Sequence, residues 1–452
     1  MLKVFAPYDL SPVGELPIQG EGEVMGMLER AQGLGAPMPV DQRIALLRRV
    51  ANRVEERLEE LAHCIAEEGG KPLVDSEVEA GRAVQGIRSA MQTLGGLTGT
   101  QVPMGITEAT RRRVAFTVRE PIGTVVAISA FNHPLNLIIH QVIPAVAAGC
   151  PVIVKPALTT PLSCKHLVDI LAEAGLPAGW CQMAICDDGV AEKLATDPRV
   201  AYVSFIGSLK VGWELRSKVA PGTRVVLEHG GAAPVILLED TNLEGAIPRI
   251  VKGAFYHAGQ VCVSVQRLFV PKKRMEEVAE RLVAEAKGLV VGDPTRGETH
   301  VGPLISPKEV DRIEEWVKGH KLLCGGHRIG KTCFEPTVVL DPPKDSLLST
   351  QEIFGPVICL YPYEGIDEAI GRANSLPFAF QSAVFGKEID RLLYVAKRLK
   401  GTGVMINDHT AFRADWMPFG GREQSGLGMG GIPYAIRDMA VEKLIVIRSE
   451  SL

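Results

Sequence analysis

Cys262 sits between two valines in FYHAGQVCVSVQR, a run that otherwise reads as packing material. A cysteine there is either a buried thiol, the commoner fate of the residue, or a nucleophile whose partners come from elsewhere in the chain. Other segments place a polar or ionisable group where an apolar strand runs out: Asn132 in SAFNHP, Lys155 in VIVKPA, Gly207 and Ser208 in VSFIGS, and Glu228 in VVLEHGG. One by one they have ordinary explanations, with Asn132 and Ser208 as helix caps and Lys155 and Glu228 as a surface pair. Together they describe a ligand site, because ligands of open α/β sheets bind beyond the carboxyl ends of the strands. Gly207 and Ser208 also head a helix, where free backbone N–H groups favour a phosphate.

The elements that must position these groups can be read from periodicity. From Gly123, the apolar strands TVVAISAFN, PVIVKPA, WCQMAIC, VAYVSFIGS and RVVLEHGG alternate with helical stretches. Near-continuous apolar strands of this kind predict a parallel sheet covered on both faces, a Rossmann-like doubly wound α/β architecture. A second α/β series starts after Gly231 with APVILLE and continues through RLFVP, PTVVL, PVICLYPYE and GVMIND. Near the N-terminus, Ile44, Leu47, Val50, Val54, Leu58, Leu61 and Ile65 predict one amphipathic helix over 41–68, stopped by Gly69 and Gly70. RRRVAFTVREPIG alternates like an exposed strand or hairpin, and the C-terminal MAVEKLIVIRS alternates in the same way. These two outliers predict a small shared β element at a subunit contact, since a monomer would leave strand edges unpaired.

One G-x-G-x-x-G occurs, GLGMGG at 426–431, but the loop-like PFGGREQS precedes it instead of a hydrophobic strand. It is not read as a dinucleotide fingerprint.

Composition narrows the classes. The chain has 452 residues, 46% hydrophobic and 23% charged, with a formal net charge of -4. That balance gives no polyanion-binding signature, and nucleic acid is not an expected partner. Nine cysteines without a C-x-x-C pair suggest neither a disulfide framework nor a zinc site, so no metal is expected. The start lacks a signal peptide's apolar core and no apolar run is long enough for a bilayer, so a cytoplasmic protein without membrane contact is expected.

Seven segments, AFNHP, VIVKPA, FIGS, LEHGG, GQVC, EIFGP and PFGG, follow one another in this order over most of the chain. In that order they resemble the aldehyde dehydrogenase superfamily. The separation of Glu228 from Cys262 (262 − 228 = 34 residues) is also that of the family. FNHPLNL, LEHGG and FRADWMPFGG are nearest to the branch that acts on small polar aldehydes such as lactaldehyde or phosphonoacetaldehyde.

The resemblance implies NAD(P)-dependent oxidation of a small aldehyde to its carboxylate. Cys262 would attack as a thiolate, giving a thiohemiacetal and then a thioester. Asn132 and the Cys262 backbone N–H would hold the oxyanion, and Glu228 would activate the hydrolytic water. It further implies that Lys155 and Glu352 bind the hydroxyls of the adenosine and nicotinamide riboses. Phe354 would flank the nicotinamide, Phe131 would stand where tryptophan is common, and Gly207 and Ser208 would meet the pyrophosphate. The implied division is an NAD(P)-binding domain at 1–105 and 122–230, a catalytic domain at 231–428, and oligomerisation strands at 106–121 and 429–452 of a homodimer or homotetramer.

Several positions depart from the family's pattern. Leu158 occupies the place where many NAD-preferring members carry a glutamate, which leaves NAD or NADP open. His229, Ala232 and Ala233 replace the usual LGGK surroundings, and Ile206 replaces a threonine. Arg413 is either a surface arginine or a contact for an anionic substrate group, and His133 is either a pocket residue or a surface group. Two rival readings are a coenzyme A-acylating dehydrogenase, whose members often lack the glutamate, and a catalytically silent relative acting as a binding or structural protein.

Overall fold

The computed structural model describes residues 1–451. Its first sheet is built from the apolar runs that follow Gly123. Five parallel strands lie in the order Cys181–Met183, Val152–Lys155, Val125–Ile128, Tyr202–Ile206 and Arg224–Glu228. The chain builds outward from Val125–Ile128 in one direction and then returns to build on its other side. The reversal opens a crevice between the first and fourth strands in chain order, where such sheets bind ligands.

Alternation of side chains along the strands produces two cores. Val125, Ala127, Val152 and Val154 face the helices Val40–Glu56, Leu73–Gly95, Asn136–Ala148 and Leu162–Glu173. Val126 and Ile153 point the other way, against Glu21–Gln32, Asp188–Thr196 and Leu209–Lys218. Burial on both faces is the reason these strands read as continuous apolar runs.

The second sheet has seven strands, ordered Leu322–Cys324, Thr337–Leu340, Val357–Tyr363, Val265–Pro271, Ala233–Leu237, Gln381–Phe385 and Gly403–Ile406. All pairs are parallel except the outermost, Leu322–Cys324 with Thr337–Leu340. After this sheet the chain returns to the first one. Gly426–Leu427, inside the GLGMGG run, pairs antiparallel with Arg224–Glu228, setting Gly426 opposite Glu228. The glycine motif is therefore an edge strand beside a site residue. A Cβ on Gly426 would come within 2.4 Å of the Leu227 carbonyl, so the close pairing needs the glycine.

The two outlying strands find each other. Ala440–Arg448 pairs antiparallel with Arg113–Pro121 along its whole length, and Gln101–Val102 adds to the other side. RRRVAFTVREPIG is thus a single strand whose full-length partner is remote, with the short preceding strand Gln101–Val102 antiparallel on its other side. Leu444, Val446 and Ile447 remain exposed on this sheet.

The predicted helix over 41–68 is two helices, Val40–Glu56 and Leu58–Gly69. Arg57 leaves the helical region (φ -111°, ψ 21°), and its guanidinium is held by Glu60 at 2.7 and 2.8 Å. The apolar spacing passes through the break unchanged, so periodicity alone does not reveal it. The strand pair Leu2–Phe5 and Pro12–Leu16 was not anticipated. Among the described residues no helix is long and apolar enough to cross a membrane, and no His, Cys, Asp or Glu cluster suits a metal ion.

Arg267 lies in the middle of the second sheet, 4% exposed. Its guanidinium donates to the carbonyls of Ala232 (2.9 Å), Arg372 (3.1 Å) and Ala373 (2.9 Å), tying the sheet to the linker from the first one. Burial lowers its pKa to about 10, which leaves it charged at neutral pH. Removing it strands buried acceptors, each costing about 1–3 kcal/mol. Arg267→Ala is therefore expected to lower stability by about 3 kcal/mol or more, read as a shifted denaturant midpoint.

Candidate active site

A single cleft of about 1050 Å³ runs along the carboxyl ends of the first sheet and into the second. It is lined by every residue singled out from sequence for a site: Phe131, Asn132, His133, Lys155, Gly207, Ser208, Glu228, Cys262, Glu352, Phe354 and Arg413. None of these is left outside.

The loop that carries Cys262 is bent by backbone chemistry. His257 (φ 50°), Ala258 (φ 53°) and Gly259 (φ 69°) lie successively in the left-handed region, a strained path for the first two. A Cβ on Gly259 would come within 2.0 Å of the Gly355 carbonyl, so the loop needs glycine there. Gln260 fastens the loop to the segment beyond it. Its side-chain oxygen accepts from the Ile305 N–H at 2.9 Å, and its amide donates to the carbonyls of Pro303 (3.2 Å) and His257 (3.3 Å). Cys262 follows, half-buried, with Val261 and Val263 packed beside Phe380.

Asn132 reaches this loop from the other sheet. It is 5% exposed, and its amide donates to the Gln260 carbonyl at 2.8 Å. An asparagine amide carries two N–H donors, so one stays available for a second acceptor beside Cys262.

The cleft is dry enough to shift its acids. Burial raises the Glu228 carboxyl to about 7, with the Arg413 guanidinium opposing the rise. Burial raises Glu352 to about 8. The Cys262 thiol is also pushed up, first by burial and then by the charges of Glu352 and Glu228, while Arg413 pulls it down. His133 is driven well below its ordinary value by burial, then by Lys71 and His257, and its Nε2 meets the Tyr256 hydroxyl at 3.2 Å. It is a neutral pocket residue.

The other half of the cleft fits a dinucleotide. Lys155, 7% exposed, ends its strand with the ammonium 3.0 Å from Asp188. Ser208 is the N-cap of Leu209–Lys218 and makes no side-chain cap bond, which leaves first-turn amides for a phosphate. Glu352 presents an oxygen with no hydrogen-bond partner, and a Cβ on Gly230 would lie 1.7 Å from it. Phe354, held at φ 49°, meets Phe131 edge to face at 5.9 Å. An orphaned buried acceptor beside a glycine cradle is what a bound ribose hydroxyl would satisfy.

Sequence reasoning missed a cluster at the wall of the cleft that holds Arg82, Asn136 and His140. Asp415 accepts from Arg82 at 2.7 and 3.3 Å and from His140 at 2.7 Å, and Asn136 approaches it at 3.3 Å. Arg82 and Asp415 are 333 residues apart, so no local pattern announces the pair. Among the described residues, three of the four cations lining the cleft are ion-paired: Arg82 with Asp415, Lys155 with Asp188 and Lys252 with Asp75. Arg413 makes no ion pair with any described residue. Its guanidinium donates to the Met417 carbonyl at 3.2 Å and lies 4.0 Å over the Phe419 ring.

Comparison with known proteins places the chain in a family. Residues 1–445 match the model of the aldehyde dehydrogenase family. The 3-sulfolactaldehyde dehydrogenase of Priestia aryabhattai is 34% identical over 453 residues, 99% of this chain and 94% of that one. The crystal structure of aldehyde dehydrogenase 21 from Physcomitrella patens, in complex with the reaction product succinate, superposes with a TM-score of 0.96. It is 34% identical, over 99% of this chain and 95% of that one. Glyceraldehyde-3-phosphate dehydrogenase from Methanocaldococcus jannaschii, complexed with NADP, gives a TM-score of 0.94 at 34% identity, over 99% of both chains. A full-length sequence match and the same two-sheet fold around one cleft lead to one conclusion: this chain belongs to the aldehyde dehydrogenase family and is an NAD(P)-dependent enzyme of it.

Proposed function

We propose that this enzyme oxidises a small aldehyde bearing an anionic group to its carboxylate, with Cys262, Asn132 and Glu228 performing the chemistry. The observation that carries the reading is the meeting of these three residues with an unpaired Arg413 in one cleft. Cys262 attacks the aldehyde carbon once its thiol is deprotonated, forming a thiohemiacetal. The raised thiol pKa means that deprotonation must be assisted within the site. The free N–H of the Asn132 amide and the Cys262 backbone N–H hold the developing oxyanion. NAD or NADP, when bound, would supply the hydride acceptor for oxidation of the thiohemiacetal, which leaves the acyl group on Cys262 as a thioester. Glu228, poised near neutrality, takes a proton from water as that water attacks the thioester carbonyl. Lys155 and Glu352 would hold the two riboses, the Gly207 and Ser208 amides would meet the pyrophosphate, and Phe131 and Phe354 would flank the nicotinamide.

The anionic group is assigned to Arg413. A half-buried cation without a carboxylate partner loses part of its hydration, and a ligand anion would supply the counter-charge. Relatives named for sulfolactaldehyde, glyceraldehyde 3-phosphate and a succinate product support an acidic substituent. Release by hydrolysis is favoured over transfer to coenzyme A because Glu228 is in place. We further assign the exposed apolar face of Ala440–Arg448 to a homodimer or homotetramer contact.

Removing Cys262 (Cys262→Ala) is expected to abolish coenzyme reduction, and Asn132→Ala to lower kcat roughly 10²–10³-fold. In the wild type, the deacylation rate should rise with pH through about 7 as Glu228 loses its proton, and Glu228→Gln should flatten that rise and accumulate acyl-enzyme visible by mass spectrometry. An unchanged pH profile in Glu228→Gln would remove Glu228 from the mechanism. Arg413→Leu should raise KM for 3-sulfolactaldehyde or succinate semialdehyde by about 10–100-fold, the worth of a hydrogen bond to a charged group, and barely change KM for propanal. Deleting the last ten residues should lower the native mass in light scattering, and an unchanged mass would count against the subunit contact.

A further inference from the structure

Two helices that follow site loops lack caps of their own. Asn136–Ala148 begins after Leu135 and Leu162–Glu173 begins after Pro161, and neither preceding residue makes a side-chain cap bond. A helix start leaves N–H groups without intrahelical partners, and these need an acceptor when buried. Here the acceptors come from far away. Glu79 accepts from the N–H groups of Leu135 (3.0 Å) and Asn136 (2.9 Å). Glu68 accepts from the N–H groups of Leu162 (2.7 Å) and Ser163 (2.8 Å) and from the Ser163 hydroxyl.

Both carboxylates are sealed, at 1% exposure for Glu79 and 0% for Glu68. Glu79 is paired with the equally buried Lys71. Both come from the N-terminal helices Leu58–Gly69 and Leu73–Gly95, whose sequence gives no hint of a link to the site. What each one pins differs. Leu135 is three residues beyond Asn132. Leu162 closes the loop that leaves Lys155 and lines the cleft with Ala157, Leu158 and Thr159. Thr160 in that loop donates to the Phe131 carbonyl at 3.3 Å, and the Ser129 N–H in the first loop donates to the Lys155 carbonyl at 3.0 Å, so the two loops touch at these two points while each helix start has its own carboxylate.

We propose that Glu79 and Glu68 are positioning residues that divide the site between them: Glu79 fixes the loop carrying Asn132, and Glu68 fixes the loop carrying Lys155. The proposal rests on the roles assigned above to Asn132 and Lys155. Neither carboxylate touches reacting atoms. Each acts by holding a helix start, and with it the strand-end loop, in one place. Small displacements of an oxyanion donor are expensive in rate, whereas displacement of a ribose contact weakens binding.

The test is a double dissociation on the full-length enzyme. Glu79→Ala, Glu79→Gln, Glu68→Ala and Glu68→Gln are compared with Asn132→Ala and Lys155→Ala. Three quantities are read: kcat per folded molecule at saturating coenzyme, the calorimetric Kd for NAD and for NADP, and the thermal unfolding midpoint. Glu79→Ala should lower kcat about 10–100-fold with coenzyme Kd nearly unchanged. Glu68→Ala should raise coenzyme Kd about tenfold with kcat nearly unchanged. The glutamine variants keep one carbonyl acceptor and the side-chain volume, so each should recover part of its own parameter, and they carry the test if the alanine variants do not fold. If all four variants merely lower the unfolding midpoint while kcat and Kd stay at wild-type values, or move together, the division of labour is wrong. If Asn132→Ala spares kcat or Lys155→Ala spares Kd, the roles assigned to those two residues fail. If those two behave as assigned and the glutamate variants do not follow them, this inference alone falls.

Discussion

The hydrogen bond from the Asn132 amide to the Gln260 carbonyl, 2.8 Å long and buried, is the contact on which the site depends. Asn132 belongs to a strand-end loop of the first sheet, and Gln260 belongs to the loop of the second that carries Cys262. In the proposed reaction the two sheets would contribute different parts, and this bond would set their separation at the reacting carbon. Its acceptor is itself immobilised. Gln260 spends its side chain on Pro303, His257 and Ile305, and the turn before it passes through three left-handed residues. An oxyanion donor is effective only when it is already in place as charge develops. In the proposed mechanism, fixing Asn132 to a rigid loop would place its donor without a conformational step.

The same enclosure that holds the geometry also tunes the acids. Glu228 and Glu352 are raised to about 7 and about 8 by burial, and the Cys262 thiol rises with them. The cleft therefore disfavours negative charge until a cation or a ligand offsets it. Arg413 is the one lining cation without a carboxylate partner among the described residues, and it opposes the shifts at both Glu228 and Cys262. On the proposed assignment of an anionic substrate to Arg413, substrate charge and nucleophile activation would be coupled through one guanidinium. An anion on Arg413 would reduce the help it gives to the thiolate.

Much of the site was legible because strand ends are legible. Asn132, Lys155, Gly207, Ser208 and Glu228 all sit where an apolar run stops, and parallel sheets collect such residues along one edge. Cys262 was legible only in company, since GQVC offers packing and chemistry equally until the other segments are set beside it. The break at Arg57 was invisible because the hydrophobic stripe continues across it. Glu68 and Glu79 were invisible for a different reason. Charged residues on amphipathic helices ordinarily face water, and nothing local distinguishes a carboxylate that faces the start of another helix. Arg82 and Asp415 meet from opposite ends of the chain, so their pairing has no local signature.

The sequence by itself determined the two α/β series, the residues that end their strands, and the family. Each of these rests on patterns contained within a few consecutive residues or on their order along the chain. Only the tertiary structure decided that GLGMGG is an edge strand beside Glu228, that Arg413 lacks an ion-pair partner, and that two buried glutamates cap helices they do not belong to. Those facts concern which groups remain unsatisfied after folding. Satisfaction of a buried charge or N–H depends on neighbours brought together across the whole chain, and only the packed fold supplies that list.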